Sequence, residues 1–173
     1  MVSCSYRRRI LICQAFLSFL ISLGLWVGGC AKSPQILEST SPKIIFFKTS
    51  EFQFYDTGFV KKYPNKTALE IFNAGNLLLD FSVFKNQICL NGQCYSPLSL
   101  IRNFFKNDAL AGLDFEAILL GKEIFQGKNK IQNAKGFSQK LSFQENTIFY
   151  QVSQDKIVFR DEKSGFILEI SNL

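Results

Sequence analysis

The feature that most constrains how this chain folds is the segment that ends at Cys30. Residues 7–9 are all arginine, and an apolar stretch follows over residues 10–26. Two small residues, Gly28 and Gly29, then precede Cys30. A cationic start, an apolar run and small residues before a cut site are the three parts of a secretory signal peptide. We therefore expect residues 1–29 to be removed on export and to take no part in the fold.

A cysteine directly after the small residues makes this segment resemble a bacterial lipoprotein signal. The resemblance implies that Cys30 is lipidated and anchors the chain, because several acyl chains together hold a protein stably on a membrane. Ala31 rather than aspartate follows Cys30, which by the Gram-negative sorting rule implies the outer membrane, facing the periplasm. The alternative is an uncleaved transmembrane helix, since residues 10–29 are long enough to span a bilayer.

The residues after Cys30 are polar and rich in turn formers, as in Ser33-Pro34 and Ser41-Pro42. This composition is typical of a tether. We expect residues 30–42 to be the lipidated tether and residues 43–173 to form one domain. Removing residues 1–29 from the 173-residue chain leaves 144 residues, which is enough for a single domain with a real core.

Composition excludes several classes of function. The net charge of +6 includes the three leader arginines, so the processed chain carries +3 without a clustered basic face, which argues against nucleic-acid binding. The chain has no histidine, the commonest general base and metal ligand. It also lacks a Gly-x-Ser-x-Gly motif. We expect neither an enzyme, nor a metal site, nor a cofactor. The 19 phenylalanines predict either an aromatic core or a cavity lined by rings.

Two cysteines remain in the predicted domain, Cys89 and Cys94, and they flank Asn91-Gly92. Asn-Gly between strand-forming residues is a strong signal for a tight β-hairpin. With those two residues as the loop, Leu90 pairs with Gln93, and Cys89 lies opposite Cys94 at a non-hydrogen-bonded position. We expect a disulfide there, because exported proteins pass into an oxidising compartment. A redox or metal site is the alternative, although no third ligand accompanies the two thiols.

Alternating apolar and polar residues predict strands in two groups, one on each side of a helical segment. The predicted strands are Lys43–Thr49, Glu51–Tyr55, Phe59–Tyr63, Thr67–Phe72, Leu77–Phe84, Gln87–Leu90, Gln93–Tyr95, Gly136–Phe143, Thr147–Val152, Lys156–Arg160 and Phe166–Ile170.

Between the two groups the apolar period changes to that of a helix. Ser96 and Pro97 are typical of a helix start and predict a helix over Pro97–Phe105. Asp114 is a cap for a second helix, Phe115–Leu120, which Gly121 ends. Residues 126–135 are predicted to be a loop or a weak hairpin. Strands on both sides of a helical insertion indicate an antiparallel α+β fold with the helices on one face of the sheet.

This order of elements resembles the LolA/LolB family of lipoprotein-localisation proteins. The similarity is clearest over residues 69–124, where an apolar strand, a short turn, a second leucine-rich strand, the Asn-Gly hairpin and two helices follow one another; residues 157–170 resemble the family's last hairpin. The resemblance implies an incomplete antiparallel β-barrel, or half-barrel, covered by short helices over an acyl-binding cavity. It also implies a monomer that takes cargo lipoproteins from a LolA-like periplasmic carrier.

The resemblance further implies which residues serve these roles. In the family, the turn after the first apolar strand projects an exposed leucine that is tied to inserting cargo into the membrane. Here that turn is Asn73, Ala74, Gly75 and Asn76, which offers no bulky apolar tip unless Leu77 turns outward. Candidate cavity-lining residues are Phe52, Phe54, Leu69, Ile71, Leu77, Leu79, Phe81, Ile101, Phe104, Phe105 and Ile118.

Apolar stripes with a strand period are more often ordinary core. A second hypothesis is therefore an outer-membrane structural or assembly lipoprotein, with its core filled by its own side chains, that acts through protein contacts.

Overall fold

The chain folds as one open antiparallel sheet of eleven strands in a computed structural model that describes residues 36–143 and 146–173. The strands are β1 Ser39–Lys48, β2 Gln53–Tyr63, β3 Lys66–Asn73, β4 Asn76–Phe84, β5 Ile88–Leu90, β6 Gln93–Tyr95, β7 Lys130–Asn133, β8 Gly136–Phe143, β9 Asn146–Ser153, β10 Lys156–Asp161 and β11 Phe166–Asn172. The predicted antiparallel α+β class is confirmed. The leader, Cys30 and residues 31–35 lie outside the described residues.

The strand order is that of two meanders joined side by side. Strands β1 to β6 follow one another in one half, strands β7 to β11 follow one another in the other, and β1 pairs with β11 to join them. Strands β6 and β7 are left as the two edges. The sheet is therefore open, which is compatible with the predicted half-barrel.

The first strand begins earlier than predicted. Residues 39–42 were expected in the tether, but they pair with β2, from Ser39 opposite Lys62 to Pro42 opposite Phe59. Pairing of β1 with β11 begins only at Lys43. Pro42 therefore lies where β1 has only β2 as a neighbouring strand. Because proline has no backbone N–H, its position there costs no hydrogen bond to β11.

One strand, β2, replaces the two strands predicted on either side of Gly58. The strand runs without a break because Gly58 allows the neighbouring backbone to come close. A Cβ atom at Gly58 would lie 2.1 Å from the carbonyl oxygen of Glu70 and 2.5 Å from Cδ1 of Ile45. The glycine is thus a point of close packing between strands rather than a break in the strand.

A β-bulge in β4 changes the face on which Leu77 lies. Ile71 pairs with Leu79, but the next residue, Phe72, pairs with Leu77, so Leu78 is an extra residue in β4. A residue inserted in this way shifts the alternation of side chains by one position. Leu77, predicted to share a face with Leu79 and Phe81, is instead 51% exposed, and Leu78 is 39% exposed.

The two edge strands are connected by residues 97–127, which we call the helical cover. Its helices are α1 Pro97–Leu100, which continues as a π-helical turn Ile101–Phe105, a 3₁₀ turn Asp108–Leu110, α2 Phe115–Leu119 and a 3₁₀ turn Phe125–Gly127. Among the described residues, no helix is both long and apolar enough to cross a membrane.

The predicted helix caps are confirmed. Ser96 Oγ accepts a hydrogen bond from the Ser99 N–H, and Asp114 Oδ1 accepts one from the Ala117 N–H. The predicted regular helix to residue 105 is wrong in one respect, because its second half is a π-helical turn. Within the first turn Leu98 is 42% exposed, whereas Leu100 is buried.

Candidate functional site

The candidate acyl-binding site is the space between the helical cover and the face of the sheet that it covers, which we call the inner face. Apolar side chains from both sides meet there in one buried cluster. The inner face contributes Ile45, Phe47, Leu69, Ile71, Leu79, Phe81, Leu141, Ile148, Phe159, Phe166 and Leu168, and the cover contributes Leu100, Ile101, Phe105, Leu110, Leu113, Phe115, Ile118 and Leu119.

Phenylalanine rings occupy the middle of this cluster. Phe105 of the cover lies 4.7 Å from Phe166 and 5.6 Å from Phe115 between ring centroids. Phe115 in turn lies 5.7 Å from Phe81, and Phe47 lies 5.3 Å from Phe166. Rings at these separations are in direct packing contact. The interior is thus filled by the protein's own aromatic side chains.

The structure brings together most of the predicted lining residues. Seven of them are buried in the cluster: Leu69, Ile71, Leu79, Phe81, Ile101, Phe105 and Ile118. Phe52 and Phe54 are partly buried and pack at its margin, where Phe52 stacks on Phe47 at 5.8 Å. Leu77 is not among them, because the bulge in β4 turns it outward. The side chain of Phe104 lies outside the described part of the chain.

A buried carboxylate, Asp161, connects the cover to the sheet at one end of this cluster. It accepts hydrogen bonds from Asn107 Nδ2 of the cover at 3.1 and 3.2 Å and from Asn146 Nδ2 of β9 at 2.6 Å. The backbone N–H and the hydroxyl of Ser164 also donate to it. A buried charge is tolerated when donors surround it in this way.

Three further polar contacts hold the cover to the sheet. Thr67 of β3 donates to Glu116 at 2.9 Å, and the Tyr150 hydroxyl of β9 donates to the Lys122 carbonyl at 2.8 Å. Burial raises the pKa of Tyr150, and the nearby charge of Asp114 raises it further. Gln139 of β8 both accepts from the Ile124 N–H and donates to its carbonyl, at 3.0 and 2.9 Å. These hydrogen bonds, together with those to Asp161, attach the cover to the sheet at specific side chains.

The polar attachments of the cover were not predicted from the sequence. Asp161 continues the inner-face alternation of Ile157 and Phe159 along β10, so a buried carboxylate could have been inferred from that pattern. No alternating pattern marked its partner Asn107, because Asn107 lies between the π-helical turn and the 3₁₀ turn of the cover.

The predicted membrane-facing loop is a tight, fully exposed turn between β3 and β4. Ala74 and Gly75 have φ values of 46° and 82°, so the two central residues are both left-handed, as in a type I′ turn. Asn73 donates a side-chain hydrogen bond to Asp56 of β2. That hydrogen bond, together with one from the Thr57 N–H, lowers the pKa of Asp56. Leu77 follows directly, so an exposed leucine stands beside the turn.

The Asn-Gly hairpin has the predicted register. Leu90 pairs with Gln93 and Cys89 with Cys94, and the two cysteines form a disulfide with their Cα atoms 3.9 Å apart. The bond lies in β5 and β6, at one edge of the sheet. Among the described residues, no group of His, Cys, Asp and Glu side chains is arranged to hold a metal ion.

Comparison with known proteins adds no family to this description: no protein-family model matches the chain, and no curated protein matches it.

Proposed function

We propose that this chain is a LolB-like outer-membrane lipoprotein that binds acyl chains of lipoproteins or lipids between the inner face of its sheet and the helical cover. An open antiparallel sheet with short helices on one face supports the proposal, because that is the architecture of the LolA/LolB family. Cys30 carries the membrane anchor, and the residues between it and β1 form the tether. A LolA-like periplasmic carrier supplies the cargo, and no catalytic step is needed.

The construction of the helical cover is the observation that carries the proposal. The continuous helical segment of α1 and its π-helical turn has 9 residues, and α2 has 5, both fewer than a helix needs to be stable alone. Apolar contacts to the sheet therefore hold much of the cover in place. An acyl chain offers the same kind of contact, worth about 0.8 kcal/mol for each buried CH₂ group. It can replace side chains such as Phe105 and Ile118 on the inner face while the cover moves outward.

Exposed leucines beside the β3–β4 turn support a role in delivery. Leu77 and Leu78 leave a substantial apolar surface in water next to Asn73 and Asn76. Membrane-contacting surfaces commonly carry such apolar side chains. In this proposal the two leucines enter the membrane surface when cargo is released, in the place of the single leucine of the family's loop.

The packed aromatic interior favours a second candidate function. Rings such as Phe105, Phe115 and Phe166 already contact one another. If they never separate, the inner face is an ordinary core, and the protein acts at the outer membrane through protein contacts.

Binding of a synthetic triacylated lipopeptide distinguishes the two functions. The protein is prepared with Cys30→Ser, so that it carries no acyl chain of its own, and is loaded with an environment-sensitive apolar dye. We expect strong dye fluorescence that the lipopeptide reduces to baseline, whereas the same peptide without acyl chains leaves it unchanged. Absence of dye enhancement, or equal displacement by both peptides, would favour the protein-contact function.

A further inference from the structure

The edge strand β7 has backbone hydrogen-bonding groups that face away from the rest of the described sheet. Asn133 and Gly136 flank a two-residue turn, so they form a hydrogen-bonded pair. The next pair, Gln132 and Phe137, is then a non-hydrogen-bonded pair. The N–H and C=O groups of Gln132 consequently point away from β8, to a side where no described strand lies. All four residues of β7 are exposed, so this edge is accessible.

A groove on the outer face of the sheet begins at this edge. Its volume is about 470 Å³, and its apolar lining comes from Ile131, Phe149 and Val158. Ser138 pairs with Ile131 and gives the groove a small side chain between larger ones. Ile131 is 68% exposed and Phe149 is 39% exposed. A short lysine-bearing edge strand can simply prevent aggregation, but that role does not require an exposed isoleucine beside an apolar groove.

The groove carries a net positive charge, because two cations, Lys140 and Arg160, and one carboxylate, Glu162, lie among its lining residues. Lys140 and Arg160 pair with Phe149 from either side, so the three side chains form one row across the outer face. The Lys140 ammonium lies 5.0 Å from the Phe149 ring centroid and forms no ion pair with a described residue. Arg160 shares Glu169 with Lys156, both at 2.6 Å, so one carboxylate serves two cations. An acidic ligand therefore complements this surface.

We propose that the β7 edge and this groove bind an extended acidic segment of a partner protein. The segment adds to the sheet as a further strand, and its backbone pairs with Gln132. Beyond the paired residues the segment crosses the outer face, where its apolar side chains cover Ile131 and Phe149 and its carboxylates approach Lys140 and Arg160. A second copy of this chain fits less well, because its own edge, residues 130–135, carries two lysines and no carboxylate. This site is separate from the inner face and does not depend on acyl binding.

The edge pairing is tested with a fluorescent peptide in which a strand of alternating leucine and threonine is followed by leucines and glutamates that can cross the groove, added to the full lipoprotein in detergent. Gln132→Pro removes the outward N–H without breaking a bond to β8, and Gln132→Ala is its matched control. We expect the proline variant to weaken peptide binding by about tenfold or more, measured by fluorescence anisotropy, and the alanine variant to change it little. Equal affinities of the two variants would overturn the proposal.

The charge requirement is tested with Lys140→Glu against Lys135→Glu, which makes the same change of charge in the β7–β8 turn. Lys140→Glu should weaken binding much more than Lys135→Glu, and replacing the peptide's glutamates with lysines should abolish binding to the unaltered protein. If Gln132→Pro does not fold, the comparison of Lys140→Glu with Lys135→Glu still tests the proposed site. Equal effects of the two variants, binding of the Cys30→Ser protein to anionic phospholipid vesicles in place of the peptide, or self-association through β7 would each contradict the proposal.

Discussion

Asn107 of the helical cover donates a hydrogen bond to the buried carboxylate of Asp161 in β10, across a sequence separation of 54 residues. Both side chains are buried. The cover is thereby fixed to the second half of the sheet at a defined point, while Thr67 and Glu116 fix it to the first half. Any opening of the cover must break contacts of this kind.

Asn107→Ala should destabilise the protein by about 1–3 kcal/mol, because it removes a buried donor to a charged acceptor. Urea unfolding monitored by circular dichroism measures this change. The matched control is Asn103→Ala, since Asn103 is exposed on the same cover and its loss should cost about 0.5 kcal/mol or less. Similar losses for the two variants would show that the Asn107–Asp161 contact adds no stability.

Gly58→Ala should be strongly destabilising, by about 3 kcal/mol or more, because the added methyl group overlaps backbone as well as a side chain. A Cβ atom there would lie 2.1 Å from the Glu70 carbonyl oxygen, so β2 and β3 would have to separate. Thermal unfolding measures the loss.

The control for Gly58 is Gly165→Ala. Gly165 has a φ of 69°, and a methyl group added there would meet no atom within 4 Å, so we expect a cost of about 1–2 kcal/mol from backbone strain alone. The account of Gly58 is contradicted if its variant is the more stable of the two.

The stability should depend on pH through Glu169. A hydrogen bond from Lys156 lowers the pKa of Glu169 below 4.5, and one from Arg160 lowers it further, against the effect of burial. A carboxyl group whose pKa is lower in the folded protein stabilises the fold above its unfolded pKa, and this contribution is lost as the pH falls through the folded pKa. The difference in unfolding free energy between the natural protein and Glu169→Gln should therefore be largest near neutral pH and shrink below about pH 4.5. A difference that stays constant from neutral to acid pH would contradict this role.

Replacing Leu77 and Leu78 with serine should impair delivery without affecting acyl binding. Both leucines are exposed, so we expect a change in stability within about 0.5 kcal/mol. Transfer of a fluorescent lipopeptide from the loaded protein to phospholipid vesicles measures delivery. Leu98→Ser is the control, since Leu98 is similarly exposed but lies on the cover. Unchanged transfer in the Leu77/Leu78 variant would rule out their proposed membrane contact.

Local signals in the sequence predicted much of this fold. Asn91-Gly92 determines its hairpin through two residues with positive φ, and the register of Cys89 and Cys94 follows from it. The bulge at Leu78 was not predictable from the sequence. Residues 77–79 are all leucine, so an apolar side chain falls on each face of the strand whether or not a bulge is present. The edge strand β7 remained ambiguous because three of its four residues are polar and none lies on a buried face.

The candidate site was predicted only in part, since its packing depends on distant residues. Alternation identified Leu69, Ile71 and Phe81 as sharing a face, but it could not show what covers them. The rings of Phe105 and Phe115 that fill the interior come from a separate segment of the chain. The attachment of Asn107 to Asp161 likewise exists only in the folded protein.

In the function that we propose, an acyl chain replaces the helical cover on the inner face. Amide hydrogen exchange of the Cys30→Ser protein during titration with the triacylated lipopeptide tests it most directly. We expect exchange to rise over residues 97–127 and to saturate at one lipopeptide per protein, while the strands of the inner face stay protected. Unchanged exchange over residues 97–127 at saturating lipopeptide would contradict it.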